Sequence, residues 1–178
     1  MASVLKVGEL QDLNGNALSF GTKVKLHRTL VLTESSQALS SSWSTINGMF
    51  VTLSPESASS VFRIDVRWFG EDNGSNWDTT MGITRNGTAI NLPGSPSGNA
   101  GLAMSTVTYH LADDNNSTPE IANYFTYDEP ATTSEITYAA VARNNNNSTI
   151  YNNRTIGSTA SWNYERGSCE ILVTEYVL

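Results

Sequence analysis

The chain has 178 residues, of which 15% are charged, and its formal net charge is −7. This length suits one domain with a substantial core, and a single cysteine cannot form an internal disulfide. The ten Lys and Arg residues form no basic stripe, which argues against nucleic acid as a partner. No run of about 18 apolar residues occurs, so the sequence predicts no membrane insertion.

The first predicted element is a short hairpin over residues 1–22 with Asn14-Gly15 at its turn. An isolated hairpin is only marginally stable in water, so this segment is expected to dock on a neighbouring protein. We therefore divide the chain into a docking segment, 1–22, and a β-domain, 23–178. The residues expected at the docking interface, from both ends of the chain, are Val4, Leu5, Val7, Leu18, Phe20, Tyr176 and Leu178.

The next two long elements are strands, because their apolar residues recur with a period of two. Between residues 61 and 69 the even positions are apolar and the odd positions include two arginines and an aspartate. The same spacing between residues 23 and 33 predicts a strand with one apolar face, which we expect to cover the core. Its apolar side chains are Val24, Leu26, Leu30 and Leu32, and the side chains on its other face are Lys25, His27 and Thr29.

Further strands are predicted between turn sequences. These strands are Thr45–Leu53, Met81–Arg85, Leu102–Leu111, Ile121–Tyr127, Ile136–Arg143, Ser148–Asn152 and Cys169–Val177. Asn47-Gly48 and Asn73-Gly74 offer the left-handed backbone of tight turns, and Asn86-Gly87 predicts a two-residue hairpin. No segment of ten residues has helical periodicity and a cap. The fold class is therefore all-β, and a jelly-roll-like antiparallel β-sandwich is the architecture we expect.

Two acidic loops are weighed as cation sites. Residues 71–78, with Asp72 and Asp78, contain the oxygen ligands that Ca²⁺ prefers. Gly74, however, follows Asp72 by two residues instead of five, which does not fit the EF-hand frame. A structural turn is the favoured interpretation, and the same holds for residues 113–116. The sequence predicts no bound metal and no cofactor.

Residues that could bind a ligand cluster near the Asn-rich stretch 144–147. Amides and aromatic faces together suit a host-surface glycan or a protein, whereas the simpler interpretation is a solvated loop. The candidate ligand-binding residues are Asn145, Asn146, Tyr151, Trp162 and Tyr164.

Nothing in the sequence predicts an enzyme. Neither His27 nor His110 lies in a cluster with acidic or cysteine residues at metal-ligand spacing, and no G-x-S-x-G elbow is present. Cys169 lies in an alternating apolar strand, which favours a small core residue over a nucleophile. Asp128 with Glu129 occupies a turn-like context without a marked partner across a cleft.

Several motifs resemble those of structural and tail-fibre-like proteins of tailed bacteriophages. The opening, Ser3-Val4-Leu5-Lys6-Val7 followed by Asn14-Gly15-Asn16, resembles their N-terminal motif. The second half resembles their β-rich C-terminal domain through Tyr127-Asp128-Glu129-Pro130, Ile150-Tyr151-Asn152-Asn153-Arg154 and Arg166-Gly167-Ser168-Cys169. The likeness covers most of the chain, but no long repetitive shaft follows the N-terminal motif.

The resemblance implies a virion protein made in the host bacterial cytoplasm, and a homotrimer exposed on the particle. A capsid decoration or a short knob, acting through contacts with capsid or tail proteins, is the favoured function. The alternative is a receptor-binding tip that recognises a host glycan or protein.

Overall fold

The computed structural model describes residues 23–73, 79–94, 102–107, 117–157 and 164–178. Over these ranges the chain forms β-strands joined by turns and loops, and no helix long and apolar enough to cross a bilayer occurs in them. The strands are β1 Lys23–Val31, β2 Ser35–Ala38, β3 Ser44–Leu53, β4 Val61–Asp72, β5 Thr80–Arg85, β6 Thr88–Ala89, β7 Ser105–Thr106, β8 Glu120–Asp128, β9 Ile136–Arg143, β10 Thr149–Asn152 and β11 Cys169–Val177.

These strands form two antiparallel sheets. The first sheet has the order β1-β11-β4-β10-β2, and β8 pairs with the other edge of β4. The second sheet has the order β3-β9-β5-β6, and β7 also pairs with β5. Between β2 and β5, and again between β7 and β10, each step along the chain crosses to the opposite sheet. This topology confirms the predicted jelly-roll-like antiparallel β-sandwich.

Strand β4 organises the first sheet. One edge of β4 pairs with β11 over residues 61–67 and with β10 over residues 70–72. Its other edge pairs with β8 over residues 62–70. A four-stranded region in the order β1-β11-β4-β8 results, with β1 on one side and β8 on the other.

The core lies between the two sheets. The even residues of β4 point into it, from Phe62 to Trp68, as the alternation predicts. From the second sheet Tyr138 packs on Phe62 with ring centroids 5.7 Å apart. Cys169 is buried in the same core, where burial raises the pKa of its thiol, in agreement with the expected packing role.

Two Asn-Gly predictions have different outcomes. Asn86 and Gly87 have φ values of 49° and 80° and join β5 to β6, which confirms the hairpin. Asn47-Gly48 lies inside β3, so the prediction of a turn there is wrong. The register with β9 shifts between Thr45 and Phe50, and Gly48 has a φ of 77°. These two features are typical of a β-bulge, in which Gly48 adopts the left-handed conformation without ending the strand.

The other strand predictions agree within a few residues, with two exceptions. The strand Ser35–Ala38 was not predicted, because its polar sequence has no apolar alternation. The predicted strand Leu102–Leu111 reduces to Ser105–Thr106 within residues 102–107, and its remainder lies outside the described residues.

The two ends of the chain bear on the docking prediction. Val4, Leu5, Val7, Leu18 and Phe20 lie outside the described residues, so their role stays a prediction. At the other end, Tyr176 is partly buried on β11, whereas the Leu178 side chain is 66% exposed. The backbone oxygen of Leu178 accepts a hydrogen bond of 2.8 Å from Ser59 Oγ.

Candidate functional site: the outer face of the first sheet

Strand β1 presents its apolar side chains away from the core. Val24, Leu26 and Leu30 are 51%, 68% and 41% exposed, so the prediction that this apolar face covers the core is wrong. The polar face of β1 points inward instead. Periodicity identifies the strand but cannot say which of its faces meets the core.

Polar partners beneath β1 explain why its inner face is polar. Thr29 Oγ1 donates to the backbone oxygen of Phe50 at 2.7 Å. Lys25 forms an ion pair with Glu56, which raises the pKa of the lysine. His27 Nε2 lies 3.7 Å from a carboxylate oxygen of Glu175. Lys25, His27 and Thr29 therefore each lie near a polar atom at the rim of the sandwich, whereas Val31 packs against the core.

The outward side chains of β1, β11, β4 and β8 together form one surface, which we call the outer face. Antiparallel partners project to the same side of a sheet, so the strand register arranges this face in transverse rows. In order from β1 to β8, the three central rows are Leu26–Thr174–Arg63–Tyr127, Arg28–Leu172–Asp65–Phe125 and Leu30–Glu170–Arg67–Asn123. The flanking rows contain Val24–Tyr176–Val61 and Phe69–Ile121.

Exposed apolar side chains are concentrated on and beside this face. Nine large hydrophobic residues are exposed among the described residues, and six of them lie on the outer face while Leu32 directly follows β1. The six are Val24, Leu26, Leu30, Ile121, Phe125 and Tyr127. Three of the six lie on β1 and three on β8, and such a concentration on one face usually marks a contact surface, whereas single exposed apolar residues are ordinary.

Charged residues occupy the middle of the outer face and are already paired. Arg63 binds Asp65 at 2.7 Å, and its guanidinium stacks 4.6 Å from the centroid of Phe125. Arg28 binds Glu170 at 2.5 Å. Arg67 donates to the backbone oxygen of Ser168 at 2.8 Å. Three guanidinium groups and two carboxylates make this face nearly neutral in a chain of net charge −7.

A groove runs across the outer face between its apolar flanks. Its volume is about 730 Å³, and its lining includes Arg63, Phe125, Glu170 and Tyr176. The outer face thus combines two apolar borders with a paired-charge centre. Such a surface can exclude water while its polar groups stay satisfied, as a protein–protein contact requires.

The predicted ligand-binding residues do not form a comparable surface. Asn145 and Asn146 are exposed at the turn between β9 and β10. Tyr151 lies under the guanidinium of Arg154, 4.6 Å from its ring centroid, so its aromatic face is used within the chain. Tyr164 packs against Gly157, and Trp162 lies outside the described residues.

The acidic residues at the end of β4 hold neighbouring loops. Glu71 accepts a 2.7 Å hydrogen bond from the backbone nitrogen of Ile156. Asp72 accepts hydrogen bonds from the hydroxyls of Thr79 and Ser148. Asp78, like residues 113–116, lies outside the described residues. Within the described ranges, no group of three or more His, Cys, Asp or Glu could hold a metal ion.

Of the remaining candidates, those that the structure describes make structural contacts. Asp128 pairs with Arg85 at 2.7 Å and accepts a 2.6 Å hydrogen bond from the Tyr138 hydroxyl. His27 lies beside the buried Glu175, and His110 is outside the described residues.

Glu120 makes the stability of the fold depend on pH. Burial, and then the nearby Asp72 and Glu71 carboxylates, raise its pKa to about 8. In the unfolded chain this pKa is about 4.3, so the folded state binds the extra proton between these values. Its contribution to stability is therefore fully present below pH ~4.3 and is lost as the pH rises through ~8.

We expect Glu120→Gln to remove much of this dependence. Thermal melts should give similar Tm values for the two proteins at pH 5. At pH 9 the variant should melt about 2–4 °C higher, which corresponds to ~1 kcal/mol for this partly exposed group. If the two proteins differ in Tm by the same amount at pH 5 and at pH 9, the raised pKa of Glu120 is contradicted.

Comparisons with family models and curated proteins assign the chain to no family. No protein-family model matches the chain, and no curated protein matches its sequence. Among solved structures the chain is similar to the infectious bursal disease virus VP2 subviral particle, with a TM-score of 0.39 and 11% identity. The match covers 98% of this chain and 46% of that chain, so the chain spans less than half of that protein. The two superpose too loosely for this likeness to support an argument about function.

Proposed function

We propose that the chain is a structural component of a virion and that it acts through protein–protein contacts. The observation that carries the proposal is the outer face, because six of its large apolar side chains are exposed in the single chain. A surface of this kind is stable in water when another protein covers it. The resemblance of the sequence motifs to phage structural proteins supplies the virion as the setting.

The finer proposal is an accessory component of a bacteriophage particle, either a capsid decoration or a short knob. Residues 1–22 contain Val4, Leu5, Val7, Leu18 and Phe20, and would dock on a capsid or tail protein. The domain that begins at Lys23 would then stand on the particle surface.

Deleting residues 1–20 tests the docking role. We expect the shortened chain to remain folded, because the sandwich begins at Lys23, and to lose binding to particles. Incorporation would be measured on purified virions that lack the gene product, with the full chain as the positive control. Full incorporation of the shortened chain would show that the docking role is wrong.

The alternative is a receptor-binding tip that uses the exposed Asn145 and Asn146. Adsorption of the labelled protein to host cells separates the two functions. A decoration or knob gives no saturable adsorption, whereas a tip gives saturable adsorption that falls when both asparagines are replaced by alanine.

A further inference from the structure

We propose that the outer face packs against the outer face of a second copy of this chain, about a two-fold axis parallel to the strands between β11 and β4. This inference deepens the proposed function, on which it rests, by naming the partner that covers the outer face. It proposes two copies in place of the homotrimer that the motif resemblance implies. The arguments come from the size of the face, from its charge and from the register of its strands.

The face is large enough for a specific contact. Four strands spaced ~4.8 Å apart, each about nine residues long at ~3.3 Å per residue, cover about 19 by 30 Å. Two such faces that overlap completely bury ~1,100 Å² in total, just above the ~1,000 Å² that a specific interface needs. Two sheets that pack face to face lie ~10 Å apart with their strands within about 30° of each other.

The charge of the face also favours a second copy. The whole chain carries a net charge of −7, so two copies repel each other overall. On the outer face the three arginines and two carboxylates nearly cancel. Two copies can therefore approach through this face with little electrostatic cost.

The register makes the face complementary to itself. A two-fold axis parallel to the strands places each row over the same row of the partner, in reversed order. In the row Leu30–Glu170–Arg67–Asn123, Glu170 then faces the partner's Arg67, and Arg67 faces the partner's Glu170. This pair of opposite charges forms twice, once on each side of the axis. The strands of two packed sheets cross at ~30°, and this crossing displaces side chains least near the axis.

The two neighbouring rows match best at their ends; at the centre of one of them Leu172 faces the partner's Asp65, whose carboxylate stays paired with Arg63 of its own chain. In the row Leu26–Thr174–Arg63–Tyr127, Leu26 faces the partner's Tyr127. In the row Arg28–Leu172–Asp65–Phe125, the guanidinium of Arg28 faces the partner's Phe125, which suits a cation–π contact. Both aromatic side chains of β8 in these two rows are therefore covered by a residue of the partner's β1.

A mixing experiment tests this arrangement. In one chain Leu26 and Tyr127 are three strand spacings apart, about 14 Å, so they can meet only across two copies. Leu26→Lys and Tyr127→Glu should each weaken self-association by about tenfold or more, because each places an unpaired charge in the contact twice. When the two variants are mixed, one Lys–Glu pair and one native Leu–Tyr contact form, and 1:1 association should return.

Sedimentation of each protein at ~50 µM gives the readout. We expect two copies for the unaltered chain, one copy for each variant alone, and two copies for the mixture. Phe50→Lys is the matched control: Phe50 is 46% exposed on β3 of the second sheet, and its substitution should leave two copies. Thermal melts of each variant confirm that the fold is retained.

Three results would overturn the inference. The first is a mixture that stays single-copy although both variants are folded, and the second is an unaltered chain with three copies. The third is a single-copy chain that associates only after residues 1–20 are removed, which would show that its own N-terminal segment covers the face. If association fails while the full chain still enters particles, the inference is wrong and the proposed function stands.

Discussion

Replacing Trp68 with alanine is expected to lower the free energy of unfolding by about 3–5 kcal/mol. Trp68 is the largest fully buried side chain in the described residues, with 0% exposure. Its indole Nε1 also donates a 2.7 Å hydrogen bond to Asn152 Oδ1. Truncation therefore leaves both a cavity and an unsatisfied buried oxygen. Urea unfolding at neutral pH measures the loss.

Trp68→Phe separates these two effects, because phenylalanine fills most of the volume but cannot donate to Asn152. We expect it to cost about 1–3 kcal/mol, which is the penalty for the unpaired oxygen. Phe50→Ala, on the exposed side of the second sheet, is the control and should cost less than ~1 kcal/mol. Equal losses at positions 50 and 68 would show that Trp68 is not at the centre of the core.

Replacing Glu175 with alanine is expected to lower the free energy of unfolding by about 2–4 kcal/mol. Glu175 is 0% exposed and follows Cys169, Ile171 and Val173 on the buried face of β11. Its Oε1 accepts hydrogen bonds of 2.7 Å from the backbone nitrogen of Glu56 and from Ser60 Oγ. Removing the carboxylate leaves the buried Ser60 hydroxyl and the partly buried Glu56 nitrogen without this acceptor.

Glu175→Gln distinguishes the hydrogen bonds from the charge. Glutamine keeps one carbonyl oxygen as an acceptor for Glu56 and Ser60, so its loss should be clearly smaller than that of alanine. Urea unfolding of the three proteins gives the comparison. Identical losses for the alanine and glutamine variants would mean that the contacts with the 54–60 loop contribute little.

Glu175 also shows where sequence patterns stop being informative. The alternation in β11 predicts an inward side chain at position 175, and a glutamate there contradicts a purely apolar core. The loop between β3 and β4 satisfies one of its two carboxylate oxygens, Oε1, with donors from more than 100 residues away in sequence. Such partners follow from tertiary packing, which periodicity does not encode.

In strand β1, too, the sequence pattern does not identify the side chains that point inward. Its alternation predicts a strand, and the structure confirms one at Lys23–Val31. Both of its faces could meet the core, since its inward Lys25, His27 and Thr29 all find polar partners at the rim. For β4 the buried face was predictable, because the opposite face carries two arginines and an aspartate, which are harder to bury.

The outer face could not be read from the sequence, because it combines residues that are far apart along the chain. One row joins positions 26, 174, 63 and 127, and that order depends on the register of four strands. Once the register is known, the opposition of Glu170 and Arg67 across a two-fold axis follows. The predicted ligand-binding residues, in contrast, were chosen because they are close in sequence, and the structure uses Tyr151 and Tyr164 for local packing.

Radical footprinting of the unaltered chain in solution tests most directly whether another copy covers the outer face. Phe125 on this face and Phe50 on the second sheet are 56% and 46% exposed in the single chain, so the modification of Phe50 is a reference for that of Phe125. At ~50 µM protein we predict that Phe125 is modified several-fold less than Phe50. Modification of Phe125 to at least the same extent as Phe50 would contradict the account.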